Sequence, residues 1–138
     1  MSRPFLIGVL LSALVAVPVL AQERAADERQ RLLDLAYTLG ESHALRQACQ
    51  GETDQFWRSR MVRLTEVEQA DQAFDAQLRE RFNTGFASRR SEYPTCDEAS
   101  HKAEQAAARK GQALAHKLSQ SVRQAQAPDS VADDEGAR

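Results

Sequence analysis

Apolar residues recur at intervals of three and four along four segments of the chain, which is the spacing that places side chains on one face of an α-helix. The first segment spans about 27–49 and contains Leu32 and Leu39 in this pattern. No alternating apolar run is long enough for a strand, and Pro94 is the only proline in residues 22–127. The pattern therefore predicts an all-α protein with four helices.

The second and third segments carry larger side chains, which repeat as Trp57, Met61, Leu64 and Val67 and then as Phe74, Leu78, Phe82 and Phe86. We expect the aromatic stripe of the third helix to be core, because exposed aromatic rings at this spacing would form a client-binding surface. Two glycines interrupt the pattern. Gly40 is expected to weaken the first helix, and the segment Asn83-Thr84-Gly85 to kink or shorten the third.

Short polar residues and glycine mark the expected helix ends: Gly51 as the C-terminal cap of the first helix, Thr53 or Asp54 as the N-cap of the second, and Asp71 as the N-cap of the third. Thr95 and Glu98 fit the capping-box pattern at the start of the fourth helix. This assignment places Cys96 in the first turn of that helix.

Residues 1–21 have the features of a secretory signal peptide, because Arg3 precedes an apolar run over residues 5–20 and Ala21 supplies a small residue for cleavage. A membrane anchor is the alternative, but the run is short for a bilayer span and is interrupted by Pro18. We predict cleavage after Ala21 and a soluble protein exported to the periplasm.

The predicted exported chain consists of a helical domain over residues 22–126 and an acidic tail over residues 127–138 that we expect to be disordered. Removal of residues 1–21 eliminates one positive charge and changes the formal net charge from −2 to −3. A nucleic-acid binder needs a basic face, so no nucleic-acid partner is predicted. The chain also lacks a glycine-rich phosphate loop and a serine elbow, and we predict no cofactor and assign no catalytic residue.

Cys49 and Cys96 are the only cysteines, and an even pair in an oxidising compartment predicts a disulfide. In an up-down-up-down four-helix bundle with short loops, the first helix ends at the pole where the fourth begins, which brings the two cysteines together. Reduced buried thiols or a reactive Cys96 are the alternatives. With both thiols used in a disulfide and no histidine or cysteine pair at ligand spacing, no metal site is predicted.

The densest polar and aromatic chemistry lies between residues 39 and 61, where the candidate partner or ligand face comprises His43, Arg46, Asp54, Trp57 and Arg58. One interpretation is an internal network in which Asp54 or Glu41 neutralises the arginines and Trp57 packs over them. The other is a half-open recess that offers cations and an aromatic wall to an anionic partner, such as an envelope glycan or a peptide carboxylate.

Three functions are compatible with these features. We expect a periplasmic binding or scaffolding protein of the cell envelope, whose partner is a protein or another envelope component, for example an anionic one. A periplasmic holdase chaperone is the alternative. The third hypothesis is an enzyme centred on His43, with Glu41 and Asp54 as its carboxylates.

Several short motifs also support a resemblance, namely Leu35-Ala36-Tyr37, Leu39-Gly40-Glu41, His43-Ala44-Leu45-Arg46, Cys49 with Gly51, Asp54-Gln55-Phe56-Trp57-Arg58, Arg60-Met61, Phe82-Asn83-Thr84-Gly85-Phe86, and Pro94 with Cys96. Over residues 32–118 the chain resembles a family of small exported alphaproteobacterial proteins of unknown function. The resemblance implies export and a two-cysteine helical fold, and it implies no activity.

Overall fold

Four helices make up most of residues 19–127, the part of the chain that the computed structural model describes: α1 (Val19–Gln50), α2 (Phe56–Val67), α3 (Gln72–Glu92) and α4 (Glu98–Gln126). These residues contain no strand, so the predicted all-α class is confirmed. Residues 1–18 of the predicted signal peptide and residues 128–138 of the predicted tail lie outside the described residues. Within residues 19–127, no helix combines the length and the apolar character needed to cross a bilayer.

α1 is the central helix of the fold. All residues from 38 to 45 are buried, and this stretch exceeds two turns, so α1 presents no solvent face there. α2, α3 and α4 each pack against it, whereas the backbones of α3 and α4 do not approach each other closely. The buried stretch includes Thr38, Glu41, Ser42 and His43. The fold therefore has to accommodate polar side chains in its interior.

The helices run up, down, up and down, as predicted. Asp34 of α1 pairs with Arg81 of α3. Further along both helices Glu41 pairs with Arg89, so α1 and α3 are parallel. The Cys49–Cys96 disulfide joins the end of α1 to the residues just before α4, which makes α4 antiparallel to α1. The predicted four-helix architecture, pinned by one disulfide, is confirmed.

The close packing of α1 on α3 depends on two glycines. A Cβ atom at Gly40 would overlap the Phe82 carbonyl group, and a Cβ atom at Gly85 would overlap the Tyr37 carbonyl group. Each helix thus presents its glycine to the backbone of the other. Both helices continue through these positions, so the expected shortening of α3 near Gly85 was wrong.

The apolar core lies between α1, α2 and α3 and consists of Leu32, Ala36, Leu39, Met61, Phe74, Leu78 and Phe82. Most of the aromatic stripe of α3 is therefore core, as predicted, and Phe86 at its end is half-buried. α4 contributes small residues to its contact with α1, and its buried positions are Ser100, Ala107 and Ser121.

Two of the predicted helix ends are confirmed. Gly51 follows α1 with a φ of +99°, a conformation that glycine adopts without steric cost. Asp71 caps α3, where its side chain accepts a hydrogen bond of 2.8 Å from the Phe74 amide.

The starts of α2 and α4 differ from the prediction. Gln55 occupies the N-cap position of α2, and its side chain makes no capping hydrogen bond. In α4 the capping box is formed by Asp97 and Ser100. The N-cap residue is therefore Asp97, two positions after the predicted Thr95. Cys96 consequently lies outside the helix, where its side chain can reach Cys49.

Candidate functional site

His43 lies in the buried part of α1, with 3% of its surface exposed. Its ring packs against Phe82 and Phe86, at centroid distances of 5.6 and 5.3 Å. Among the described residues, its Nδ1 atom has no hydrogen-bond partner. Burial lowers the pKa of His43, and the nearby charge of Arg58 lowers it further, whereas Asp54 acts in the opposite direction. These surroundings favour a neutral imidazole in the protein interior.

Arg46 and Asp54 connect the end of α1 to the start of α2. The Arg46 Nε atom lies 3.0 Å from both carboxylate oxygens of Asp54. Asp54 Oδ1 also accepts a hydrogen bond of 3.1 Å from the Phe56 amide, in the first turn of α2. The hydrogen bond from Arg46 is the largest cause of the lowered pKa of Asp54. This geometry matches the internal-network interpretation for these two residues.

Trp57 and Arg58 occupy different environments from this pair. Trp57 is half-buried and packs against the core, with its Nε1 atom buried and without a hydrogen-bond partner among the described residues. Arg58 is exposed, and no carboxylate of the described residues lies within 4.0 Å of it. The fold therefore divides the predicted face, with His43 buried, the Arg46–Asp54 pair half-buried and Arg58 at the surface.

The carboxylates suggested for an enzyme are both held in ion pairs. Glu41 is buried, and its Oε1 atom accepts a hydrogen bond of 3.0 Å from Arg89 of α3. Its Oε2 atom lies 3.5 Å from the Lys110 ammonium group of α4. Asp54 is paired with Arg46. Neither carboxylate has the free, substrate-facing arrangement that acid–base catalysis with His43 would require.

The cations around Glu41 were not predicted from the sequence. Arg89 is 48 residues away from Glu41 in the chain, so only the parallel packing of α1 and α3 reveals the pair. Burial disfavours the charged form of Arg89, but the carboxylates of Glu92 and Glu41 outweigh this effect and raise its pKa. The arginine therefore remains charged beside the buried carboxylate.

α2 and α3 enclose a groove of about 360 Å³, lined by Arg58, Met61, Val62, Thr65, Arg79, Phe82 and Asn83. The buried side chains of Met61 and Phe82 form its apolar part. Arg58 and Val62 are exposed, with 52% of Val62 accessible to solvent. The contributions from α3 could not be predicted, since they depend on how α2 crosses that helix.

The exposed surface of α2 combines cations with apolar groups. Arg58, Arg60 and Arg63 are exposed and form no ion pair with the described carboxylates. The large apolar side chains exposed on this helix are Phe56, Val62 and Val67. We call the three arginines with Phe56 and Val62 the α2 surface. Arg60 stacks on the Phe56 ring, with its guanidinium carbon 3.5 Å from the ring centroid.

A second cluster surrounds the disulfide. The His101 Nε2 atom lies 3.6 Å from Cys96 Sγ. Potential ligand atoms of Cys49, Cys96 and His101 all lie within 4.8 Å of one another. No metal site was predicted, and no spacing in the sequence connects His101 with the cysteines. In the disulfide-bonded state both sulfurs are committed to each other, so His101 supplies the free donor atom of this cluster.

No curated protein and no solved structure gives a significant match to the chain. A family profile described as a protein of unknown function, DUF2385, matches residues 28–122, a range that includes the disulfide, the α2 surface and the groove. Through this match over more than half of its length, the chain belongs to the DUF2385 family of proteins of unknown function.

Proposed function

We propose that this protein is a periplasmic binding or scaffolding protein of the cell envelope, and that its α2 surface holds an acidic segment of a partner protein. The observation that carries the proposal is the set of three exposed arginines on α2 that form no ion pair with the described carboxylates. Exposed Arg79 and Lys102 pair with an acid one turn away. Arg109 and Lys117 of α4 are exposed and also pair with no described carboxylate, so α2 is distinguished by the groove that Arg58 lines.

The charge of α2 contrasts with that of the whole chain. The formal net charge of the protein is −2, so the three arginines without a carboxylate partner among the described residues make α2 a positively charged helix on an acidic molecule. Guanidinium groups bind carboxylates through paired hydrogen bonds, which gives geometric selectivity as well as attraction. An acidic protein segment is therefore the complementary partner.

The groove next to Arg58 also offers an apolar surface to the partner segment. A volume of about 360 Å³ is near the lower limit of ligand pockets and accommodates one or two side chains. Its apolar part, formed by Met61 and Phe82, lies next to Arg58. We therefore expect the partner segment to place an apolar side chain in the groove and a carboxylate beside Arg58.

Location in the periplasm is part of the proposal and is supported by the signal-like sequence of residues 1–21. The Cys49–Cys96 disulfide is also compatible with an oxidising compartment. The test is N-terminal sequencing of the protein recovered from a periplasmic fraction. We expect the mature chain to begin at Gln22, and recovery of the intact N-terminus from the cytoplasm would contradict this location.

Site-specific crosslinking in living cells tests the α2 surface. A photoreactive benzoylphenylalanine at Val62 lies at the edge of the groove, and the same group at Gln112 lies on the exposed surface of α4. We expect a discrete crosslinked partner from position 62 only, with an acidic segment at the crosslinked peptide identified by mass spectrometry.

A charge-matched pair of variants provides the control. One removes the α2 cations by Arg58→Gln, Arg60→Gln and Arg63→Gln, and the other removes three exposed α4 cations by Lys102→Gln, Arg109→Gln and Lys117→Gln. Only the α2 variant should lose the crosslink, and both should melt close to the wild-type temperature, since exposed charges contribute little to stability. Retention of the crosslink by the α2 variant would exclude the proposed surface.

The holdase alternative would gain support from an exposed aromatic stripe, but the stripe of α3 is largely core. We therefore propose binding to a specific partner rather than to unfolded clients.

A further inference from the structure

The two sulfurs of the disulfide differ in their access to solvent. Cys96 is exposed and lies in the connection between α3 and α4, immediately before the N-cap residue Asp97. Cys49 is half-buried in the last turn of α1. An incoming thiolate must reach one sulfur of a disulfide directly, and access decides which one reacts. Cys96 is the accessible sulfur.

An imidazole lies beside this accessible sulfur. His101 Nε2 is 3.6 Å from Cys96 Sγ. The two sulfurs and one ring nitrogen of His101 all lie within 4.8 Å of one another. The Nδ1 atom of His101 lies 3.9 Å from a carboxylate oxygen of Glu104, one turn further along α4. The two ring nitrogens thus face different groups, Nε2 the sulfur and Nδ1 the carboxylate, and the carboxylate is too distant for a hydrogen bond. His101 is exposed, so its position is not explained by core packing.

We propose that the Cys49–Cys96 disulfide is a redox-active centre that exchanges with thiols through Cys96, with His101 as its charge and proton partner. The substrates belong to the class of small-molecule thiols or protein dithiols. A thiolate next to a histidine is stabilised, and such thiolates are the reactive form of cysteine.

The exchange proceeds in two balanced steps. A substrate thiolate attacks Cys96 Sγ, the bond between the two Sγ atoms breaks, and its electron pair leaves on Cys49, which takes a proton from the imidazolium of His101. A second substrate thiol then gives its proton to His101 and attacks the substrate sulfur of the mixed disulfide. Cys96 leaves as a thiolate beside the imidazolium. The net result is a reduced protein dithiol and an oxidised substrate disulfide.

Trapping of the mixed disulfide tests which sulfur is attacked. The oxidised full-length protein is treated with reduced glutathione at neutral pH, quenched with acid and N-ethylmaleimide, and digested for mass spectrometry. We expect glutathione on Cys96 and the maleimide label on Cys49. Glutathione on Cys49, an equal distribution over both cysteines, or a folded protein that does not react would each overturn the proposal.

Reduction rates with dithiothreitol test the role of His101. We expect His101→Gln to slow reduction of the folded protein roughly three- to tenfold, the effect of losing one exposed charge-assisted interaction. His101→Lys should retain most of the rate because it restores a cation, and His116→Gln on the same helix should react like wild type. Equal rates for wild type and His101→Gln would show that the disulfide acts as a structural link alone.

Discussion

Glu41 illustrates how this fold accommodates a charge in its interior. The residue has 4% of its surface exposed, and a buried carboxylate is costly unless cations and hydrogen bonds compensate for the lost hydration. Arg89 and Lys110 approach different oxygens of the carboxylate from α3 and α4. One side chain of α1 thereby specifies the positions of two neighbouring helices.

Replacement of the closer cation tests this account. Arg89→Met leaves Glu41 with Lys110 alone, and we expect a loss of roughly 2–3 kcal/mol in the free energy of unfolding, measured by urea denaturation. Arg79→Met is the matched control, because Arg79 pairs with Asp75 on the surface and 71% of its side chain is exposed. The control should lose less than about 0.5 kcal/mol. Equal losses in the two variants would contradict the special role of Glu41.

His43 makes the stability of the protein dependent on pH. Its pKa in the folded state is lowered from the ordinary value of 6.5, so the unfolded chain binds a proton more readily than the native protein. The stabilisation from neutral His43 is therefore present above this value and decreases as the pH falls below it. For the binding of one proton, the free energy of unfolding changes by at most about 1.4 kcal/mol per pH unit.

The variant His43→Phe should flatten the dependence of unfolding free energy on pH between about 7 and 5, the range in which unfolded histidine titrates. The lowered pKa of Asp54 acts in a more acidic range. Burial raises the pKa of Glu68, but this residue is present in both proteins and its effect cancels in the comparison. His116→Gln, at an exposed position on α4, should retain the wild-type slope. A wild-type slope in His43→Phe would assign the pH dependence to another group.

At the scale of helices, the close packing of α1 on α3 depends on two glycines as well as on the apolar side chains of the core. Gly40 and Gly85 let each backbone contact the carbonyl groups of the other helix. The cost of glycine within a helix is about 1 kcal/mol relative to alanine, and the close packing of two core-forming helices compensates for it.

Alanine substitutions separate these two effects. Gly40→Ala and Gly85→Ala each place a methyl group against backbone atoms, and we expect each to reduce stability by roughly 1–3 kcal/mol or more in urea denaturation. Gly111→Ala should instead increase stability by about 0.5–1 kcal/mol, since its Cβ would lie 3.6 Å from Thr38 Cγ2, an ordinary contact. A stabilised Gly40→Ala or Gly85→Ala variant would contradict the close crossing.

The sequence predicts helices and their ends better than it predicts contacts between them. Apolar periodicity and Pro94 locate the four helices, and the cysteine positions indicate a shared pole. The capping pattern at α4 was misassigned because Thr95 and Asp97 both precede a suitable residue three positions later. The covalent link from Cys96 to Cys49 favours the later start, which no local pattern reveals.

The candidate site was less predictable for a related reason. Residues 38–45 of α1 are buried on all sides, so the polar residues in this stretch show no exposed face from which their partners could be inferred. The sequence suggested that Asp54 or Glu41 neutralises the arginines of this region, without specifying which arginine pairs with which acid. It missed the pairing of Glu41 with Arg89 across 48 residues. Contacts between distant segments depend on how the helices cross. The groove beside Arg58 could not be predicted for the same reason, because it is formed where α2 crosses α3.

At the scale of the whole molecule, α4 packs against α1 and against no other helix of residues 19–127. Its buried residues are small, so little apolar surface is removed from water along this contact. The Lys110–Glu41 pair lies in the middle of the helix, and the disulfide holds its N-terminal end. α4 is therefore the helix whose position depends most on the covalent link.

Removal of both thiols by Cys49→Ala and Cys96→Ala tests this dependence. The disulfide closes a separation of 47 residues, for which the chain-entropy model gives a stabilisation of about 4 kcal/mol, a large part of the total stability of a small domain. We expect the double variant to melt well below wild type. In native-state hydrogen exchange, the amides of α4 should lose protection first, while α1 and α3 retain theirs until global unfolding, because their glycine crossing and apolar core remain intact. Equal loss of protection in α3 and α4 would mean that the disulfide stabilises the whole fold uniformly.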